Sequence, residues 1–407
     1  MSSKYPPNIG GFKVIQIEQP GKAAHGFPLL RAGFRPFFLL AGLQSALMVP
    51  LWLIFLSGHG APAVTPLLWH GHEMVFGFAV AAVCGFLLTA VPNWTGAAGV
   101  KGLPLGGLVL LWLAARIGFL GGLPLWLAAT CDILLLPALG GLLARPLILA
   151  GKPRNMMFLV LLSILTVCDG LLLAEMLGWA QTGRAGLYGG IFLLLMMIAV
   201  VGGRIIPGFT QSGLRMIGVV MQPPARPLLD KAALAALVLA GGLWLALPGS
   251  LPAGLACLLA AGLHLARMAG WKGWLTLRVP LLWILHVGYL WLPVGLALLG
   301  LSALAPSLLG PETAVHALTA GTIGSMVLGV MSRAALGHSG RPLVPAKATV
   351  AAYVLVQLGA FVRVFGVLAG LPMALHLSGC LWSLGFAIYA VVYAPICLLA
   401  RSDGKPG

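Results

Sequence analysis

Apolar residues run through this chain in long stretches with no strict alternation and no polar stripe. A helix needs about 20 mostly apolar residues to cross a bilayer. With Gly and Pro read as punctuation, twelve such runs stand out. They lie near 34–56, 70–91, 103–121, 125–144, 155–177, 185–203, 230–247, 251–268, 279–301, 312–333, 347–370 and 373–399. Barrel strands would alternate with a period of two, and these runs do not, so helices that satisfy their own backbone are expected. The predicted fold is all-α, a polytopic membrane protein of about twelve transmembrane helices forming one domain over 34–400. Tails at 1–33 and 401–407 flank it. The connection at 204–230, with Pro207, Pro223, Pro224 and Pro227, reads as a link between two six-helix halves.

Composition sharpens this picture. Of 407 residues, 60% are apolar and 8% charged, against about 25% charged in a soluble domain. That excludes a soluble enzyme, a disordered chain and a disulfide-rich secreted module. The 24 Lys and Arg outnumber the 8 Asp and Glu, for a net charge of +16. If the N-terminal tail is cytoplasmic, 21 of the 24 basic residues fall on the inner side. Only Arg184, in an outer loop, and Arg116 and Arg363, in the outer halves of spans, do not. This is the positive-inside bias. It places both termini in the cytoplasm and makes the basic charge topological, so no nucleic acid partner is expected. The first 30 residues, with Lys4, Lys13 and Lys22, contain no apolar core of a cleavable signal peptide. The six cysteines stand singly, without C-x-x-C, and read as packing residues.

Ionisable residues inside a membrane are costly and point to function. His70, His72 and Glu73 open the second span at its outer end, and His316 and His376 lie about one turn into the tenth and twelfth. His264 and His286 lie on the inner side, on sequential antiparallel helices, where a single metal ion or a hydrogen bond fits better than a haem. His25, His59 and His338 fall in tails or loops and read as solvated. Two depths suggest two centres. The His70-x-His72 spacing turns the two rings about 200° apart on a regular helix, unless a frayed start lets them converge. Imidazole suits Fe, Cu and Zn. Glu73 could hold a ligand imidazole, ligate directly, or relay protons, which makes it the candidate catalytic residue. Arg116 and Asp132 read as a structural ion pair, and Asp169 stands alone mid-membrane. Arg204, Arg267 and Arg333 mark inner helix ends as snorkelling anchors.

Longer motifs carry a resemblance. They include Gly33-Phe34-Arg35-Pro36-Phe37-Phe38 and Trp69-His70-Gly71-His72-Glu73-Met74-Val75-Phe76-Gly77-Phe78. Gly85-Phe86-Leu87-Leu88-Thr89-Ala90-Val91-Pro92-Asn93-Trp94-Thr95-Gly96 and Gly203-Arg204-Ile205-Ile206-Pro207 follow. Further on come Leu282-Trp283 with His286-Val287-Gly288-Tyr289, His316-Ala317-Leu318-Thr319, and Gly337-His338-Ser339-Gly340-Arg341-Pro342. In these the chain resembles the NnrS proteins nearly end to end. The resemblance implies a bacterial inner-membrane protein that carries haem and copper and is tied to nitric oxide stress and denitrification. Without a C-x-x-C-H motif the haem would be b-type. The motif histidines here are His70, His72, His264, His286, His316 and His338, while Arg35, Arg204 and Arg333 are candidate partners of haem propionates. His376 falls outside these motifs, and Asp169 stands where relatives are expected to carry an amide-like residue.

The expected function is therefore binding of, or reaction with, nitric oxide at an outer His70/His72/His316 cluster. Membrane quinol would be the electron donor for any reduction. Two rival readings use the same residues. One is a secondary transporter of a metal or small solute, which predicts broken helices with polar groups at the midplane. The other is a metal-binding sensor or assembly factor without turnover.

Overall fold

The computed structural model describes residues 27–405. The N-terminal tail with Lys4, Lys13, Lys22 and His25 lies outside them. Among the described residues, twelve helices are long and apolar enough to cross a membrane. They are α1 (Phe34–Leu56), α2 (Pro66–Thr95), α3 (Leu103–Gly122), α4 (Leu125–Leu149), α5 (Pro153–Met176) and α6 (Gly183–Met216). After them come α7 (Pro227–Ala246), α8 (Leu251–Ala269), α9 (Pro280–Leu304), α10 (Pro311–His338), α11 (Lys347–Gly366) and α12 (Ala374–Leu398). No strand forms among the described residues.

Local chemistry sets many of the boundaries. Five of these helices start on a proline, Pro66, Pro153, Pro227, Pro280 and Pro311, where the missing N–H costs nothing because the first turn has no carbonyl to bond. Ser250 caps α8 by accepting from the Ala253 amide. Gly96 ends α2 in the left-handed region at φ 75°. At the end of the bundle that carries both termini, Arg35 is fully buried at the start of α1. Its Nη1 donates to the Cys397 carbonyl at 3.1 Å and to the Ile396 carbonyl at 3.4 Å. A guanidinium here satisfies carbonyls that the end of α12 leaves without helical partners, and so ties the first span to the last.

The four most enclosed helices, α2, α6, α9 and α10, pack on one another at the centre. Large apolar side chains such as Leu110, Val160, Val238 and Val391 project outward along the outer helices. An apolar exterior of this extent suits lipid rather than water.

Helix α6 departs from the sequence expectation. It runs 34 residues, about 50 Å at the usual rise, where a span ending at 203 followed by a link was expected. The polar residues from Arg204 onward extend the helix instead of ending it, because an extension past the roughly 30 Å apolar layer can carry charge. Only 217–226 is left to connect α6 to α7.

Four helices contain a widened, π-helical stretch: Glu73–Ala79 in α2, Gly118–Gly122 in α3, Ala317–Gly324 in α10 and Val362–Gly366 in α11. Each begins at, or within two residues of, one of Glu73, Arg116, His316 and Arg363. Widened turns recur at functional sites because they re-aim side chains that a regular helix would face elsewhere.

Candidate functional site

The His70-x-His72 geometry separates the two rings as the spacing predicts, and with them two sites. His72 and Glu73 are buried in a polar cluster built from five helices. His72 Nε2 lies 2.8 Å from Asp132 Oδ2 on α4 and 3.3 Å from Asp169 Oδ1 on α5. Its Nδ1 faces Glu73 Oε1 at 3.4 Å. Gln44 on α1 donates to Glu73 Oε2 at 2.5 Å. Arg116 on α3 pairs with Asp132 and reaches Glu73 Oε1 at 3.4 Å. The Trp112 indole donates to the Gly77 carbonyl at 3.0 Å, and a Cβ at Gly77 would collide with Arg116 and Gln44. That glycine therefore lets the guanidinium lie against α2.

Two expectations change here. Asp169 is not alone: α5 carries it to His72 and Asp132. Arg116 and Asp132 do pair, but as part of this larger cluster rather than as an isolated bridge. Phe119 packs edge-on to the His72 ring with centroids 4.8 Å apart, and Phe76 lies 5.5 Å away. Water is thereby kept from the ring.

His70 looks the other way. It stacks on Trp52, with centroids 4.7 Å apart and planes 17° from parallel, and its Nδ1 is buried without a hydrogen-bond partner. It lines a cavity of about 440 Å³ together with His316, Arg363, Trp52, Met74 and Trp382. Glu175, Arg184 and Glu312 also face this space. His316 Nδ1 bonds to the Glu312 carbonyl at 2.7 Å, and Arg363 Nη2 donates to Nε2 at 3.1 Å. A guanidinium only donates and a carbonyl only accepts. The network thus assigns a neutral ring with the proton on Nδ1 and the lone pair on Nε2. Of the expected outer cluster, the structure brings His70 and His316 to one cavity and leaves His72 in the other site.

Nearer the termini, His264 and His286 do not bond to each other. His264 Nδ1 meets the Tyr289 hydroxyl at 2.8 Å, and Arg267 Nη1 donates to that same hydroxyl at 3.0 Å. Arg267 is buried, not snorkelling: it also pairs with Asp230 at 2.6 Å and donates to the Ala199 carbonyl at 2.8 Å. His286 Nε2 bonds to Thr210 Oγ1 at 2.8 Å, and its Nδ1 is buried without a partner. Arg204 donates to the Arg154 carbonyl at 3.1 Å, and Arg333 lies over the Phe209 ring at 3.9 Å. His338, expected in a solvated loop, is the last residue of α10 and is half-buried against Phe34. His59 is exposed beside Ser57, and His376 is exposed on α12.

The model of the NnrS protein family matches residues 28–401. The chain belongs to the NnrS family. No curated protein matches it. In this NnrS protein the residues that sequence reasoning passed over are Gln44, Trp52, Arg363, Thr210 and Tyr289. Two carried a usable signal: Arg363, a charge in the outer half of a span, and Tyr289, which ends the His286-Val287-Gly288-Tyr289 motif. The others are amides, hydroxyls and aromatics whose roles depend on which helix faces which.

Proposed function

We propose that this protein is a bacterial inner-membrane haem and copper protein that binds nitric oxide at the His70/His316 wall of the cavity. The observation carrying this reading is two imidazoles from separate central helices facing one mostly apolar space of about 440 Å³. That volume falls within the usual range for small-molecule and cofactor sites. The donor set fits the group. His70 Nδ1 is buried and unpartnered; a backbone carbonyl fixes His316 Nδ1–H, and its Nε2, which here accepts from Arg363, would ligate once that guanidinium turns to a propionate.

His70 and His316 would hold the metal, and Arg363 and Arg184 would offer guanidinium groups to haem propionates. Arg35, Arg204 and Arg333 are engaged with carbonyls, Asn155 and the Phe209 ring, so the propionate role moves to the cavity pair. In the layer nearer the termini, His264 and His286 are the candidate ligands, through their unpartnered Nε2 and Nδ1. When bound, reduced haem iron or Cu(I) would supply the electron-rich centre that ligates nitric oxide. The chain's own part is to orient the imidazoles, to keep water out with Trp52 and Trp382, and to admit a small uncharged gas from lipid. Glu73 faces the His72 cluster, not the cavity, and acts here by holding His72 and Arg116. Membrane quinol is the proposed electron donor where reduction occurs.

The test is an optical spectrum and metal analysis of detergent-purified protein. A Soret band with copper is expected, and both His70→Ala and His316→Ala should remove or shift the band. No Soret band and no copper would overturn the proposal, and an unchanged spectrum in both variants would refute the site. Anaerobic nitric oxide consumption with a reduced quinol then separates an enzyme from a sensor.

A further inference from the structure

We infer that His72, Asp132 and Asp169 form a second, separate metal site for a divalent ion of hard-to-borderline character, of the Mn(II), Fe(II) or Zn(II) class. It is walled off from the His70 cavity and goes beyond the haem and copper reading. Three ligand atoms from α2, α4 and α5 lie within 4.8 Å of one another, and all three residues are buried.

Geometry comes first. The two measured edges, 2.8 Å from His72 Nε2 to Asp132 Oδ2 and 3.3 Å to Asp169 Oδ1, suit ligands around one ion. Ligands about 2.0–2.2 Å from a common metal stand about 2.8–3.6 Å apart in octahedral or tetrahedral arrangement.

Hydrogen bonding gives the second argument. An imidazole N–H points along one line and serves one acceptor well. Two carboxylate oxygens crowd the same nitrogen, and Asp132 Oδ2 is buried without a hydrogen bond. On the far side of the ring, the Glu73 carboxylate accepts from Nδ1. With the ring proton on Nδ1, the state that ligation through Nε2 requires, the Nε2 lone pair faces the two carboxylates. Three lone pairs then converge, and a cation between them answers all three. Carboxylate, histidine and metal in a row is the recurring way a ligating imidazole is held.

Charge balance is the third argument. Glu73, Asp132 and Asp169 carry three negative charges, and Arg116 supplies one positive charge. With His72 neutral, two negative charges remain in a buried site where isolated charge is costly; protonating the ring would cancel one of them, and one divalent ion on the neutral ring cancels both. Two of the other carboxylate oxygens are already in use, since Arg116 pairs with Asp132 Oδ1 and Gln44 donates to Glu73 Oε2. The oxygen-rich donor set, without thiolate or thioether, selects against Cu(I).

The experiment is elemental analysis of the purified full-length protein, with Mn(II) reconstitution followed by electron paramagnetic resonance. About one equivalent per chain of a metal other than haem iron or copper is expected. Asp169→Asn should lose it while keeping the Soret band, the copper content and a monodisperse elution profile. His72→Gln should lose it as well, and Glu73→Gln should weaken Mn(II) binding about 10- to 100-fold. No such metal before or after reconstitution overturns the inference, as does metal retained in both Asp169→Asn and His72→Gln. Copper as the only ion these variants release also overturns it. A missing Soret band with the divalent ion present would count against the haem reading alone.

Discussion

Arg116 is, among the described residues, the one guanidinium paired with the buried carboxylates around His72, contacting Glu73 and Asp132. Arg116→Met keeps much of the side-chain length and removes that charge. At 3.4 Å from Glu73 Oε1, the pair's gross attraction is about 5 kcal/mol at an effective dielectric of 20. Asp132 is closer and contributes at least as much. Against this stands the desolvation of the guanidinium, several kcal/mol. The Trp112 and Phe119 rings, 5.7 and 5.4 Å from Arg116 Cζ, offset part of it. Removing one partner of such a buried pair costs about 3–5 kcal/mol, or roughly two to three and a half orders of magnitude in the folding equilibrium.

The assay is equilibrium unfolding of wild type, Arg116→Met, Glu73→Gln and the double variant in mixed SDS micelles, followed by circular dichroism. Glu73→Gln keeps a hydrogen-bonding group next to Gln44 and removes one negative charge, so the double variant should recover part of the loss. A coupling of about 1–3 kcal/mol is expected from groups in contact. If Arg116→Met falls within about 1 kcal/mol of wild type, or the two changes add within about 0.5 kcal/mol, the electrostatic account of this cluster is wrong.

Two further outcomes follow from single contacts. Thr210→Val keeps the shape at α6 and removes the hydroxyl that bonds His286 Nε2 at 2.8 Å. A buried ring nitrogen left unpaired costs about 1–3 kcal/mol, so the same micelle unfolding should register a loss of that size, and no loss would mean that His286 has another partner. Outside the spans, Arg401 hydrogen-bonds Asp403 and holds its carboxyl well below the usual range, while also donating to the His338 carbonyl at 2.6 Å. A depressed folded-state pKa gives stability that is fully present above the unfolded value of about 3.9 and is lost as pH falls toward the folded one. The protection factor for hydrogen exchange at 399–405, with the intrinsic pH dependence divided out, should therefore stay constant from pH 9 to 5 and fall below about pH 4. Asp403→Asn should show the faster exchange already at pH 7, and equal exchange in both proteins would refute the tether.

The twelve spans were legible because each needs only a run of apolar residues, and a run is a property of neighbouring positions. The divergence of His70 and His72 was legible for the same reason, since an angle between i and i+2 belongs to one helix. What could not be read was which faces meet. Asp169 looks isolated in its own apolar run, and only the packing of α5 on α2 and α4 gives it partners. His264 and His286 suggest a facing pair from their place on sequential helices. In the fold, Tyr289 and Thr210 take one ring nitrogen each, and neither residue type signals such a role in a chain this apolar. The true end of α6 was hidden because loss of hydropathy marks the end of an apolar layer, not the end of a helix.

The widened turns explain why the charged residues of this protein concentrate where they do. One extra residue per turn rotates everything after it by about 100° relative to a regular helix. In α2 the change begins at Glu73, directly after His72, so His72 and Glu73 face the polar cluster while Val75, Phe76, Phe78 and Ala79 are buried beyond it. In α10 the change begins after His316, which keeps that ring on the cavity while Leu318 and Thr322 return to the packed core. A regular helix has a single buried stripe, and a side chain aimed at a site off that stripe would expose its neighbours to the wrong surroundings. The widened turn gives one helix two buried directions in succession. A membrane helix that must carry an imidazole to a site and still pack at the centre of a bundle needs both.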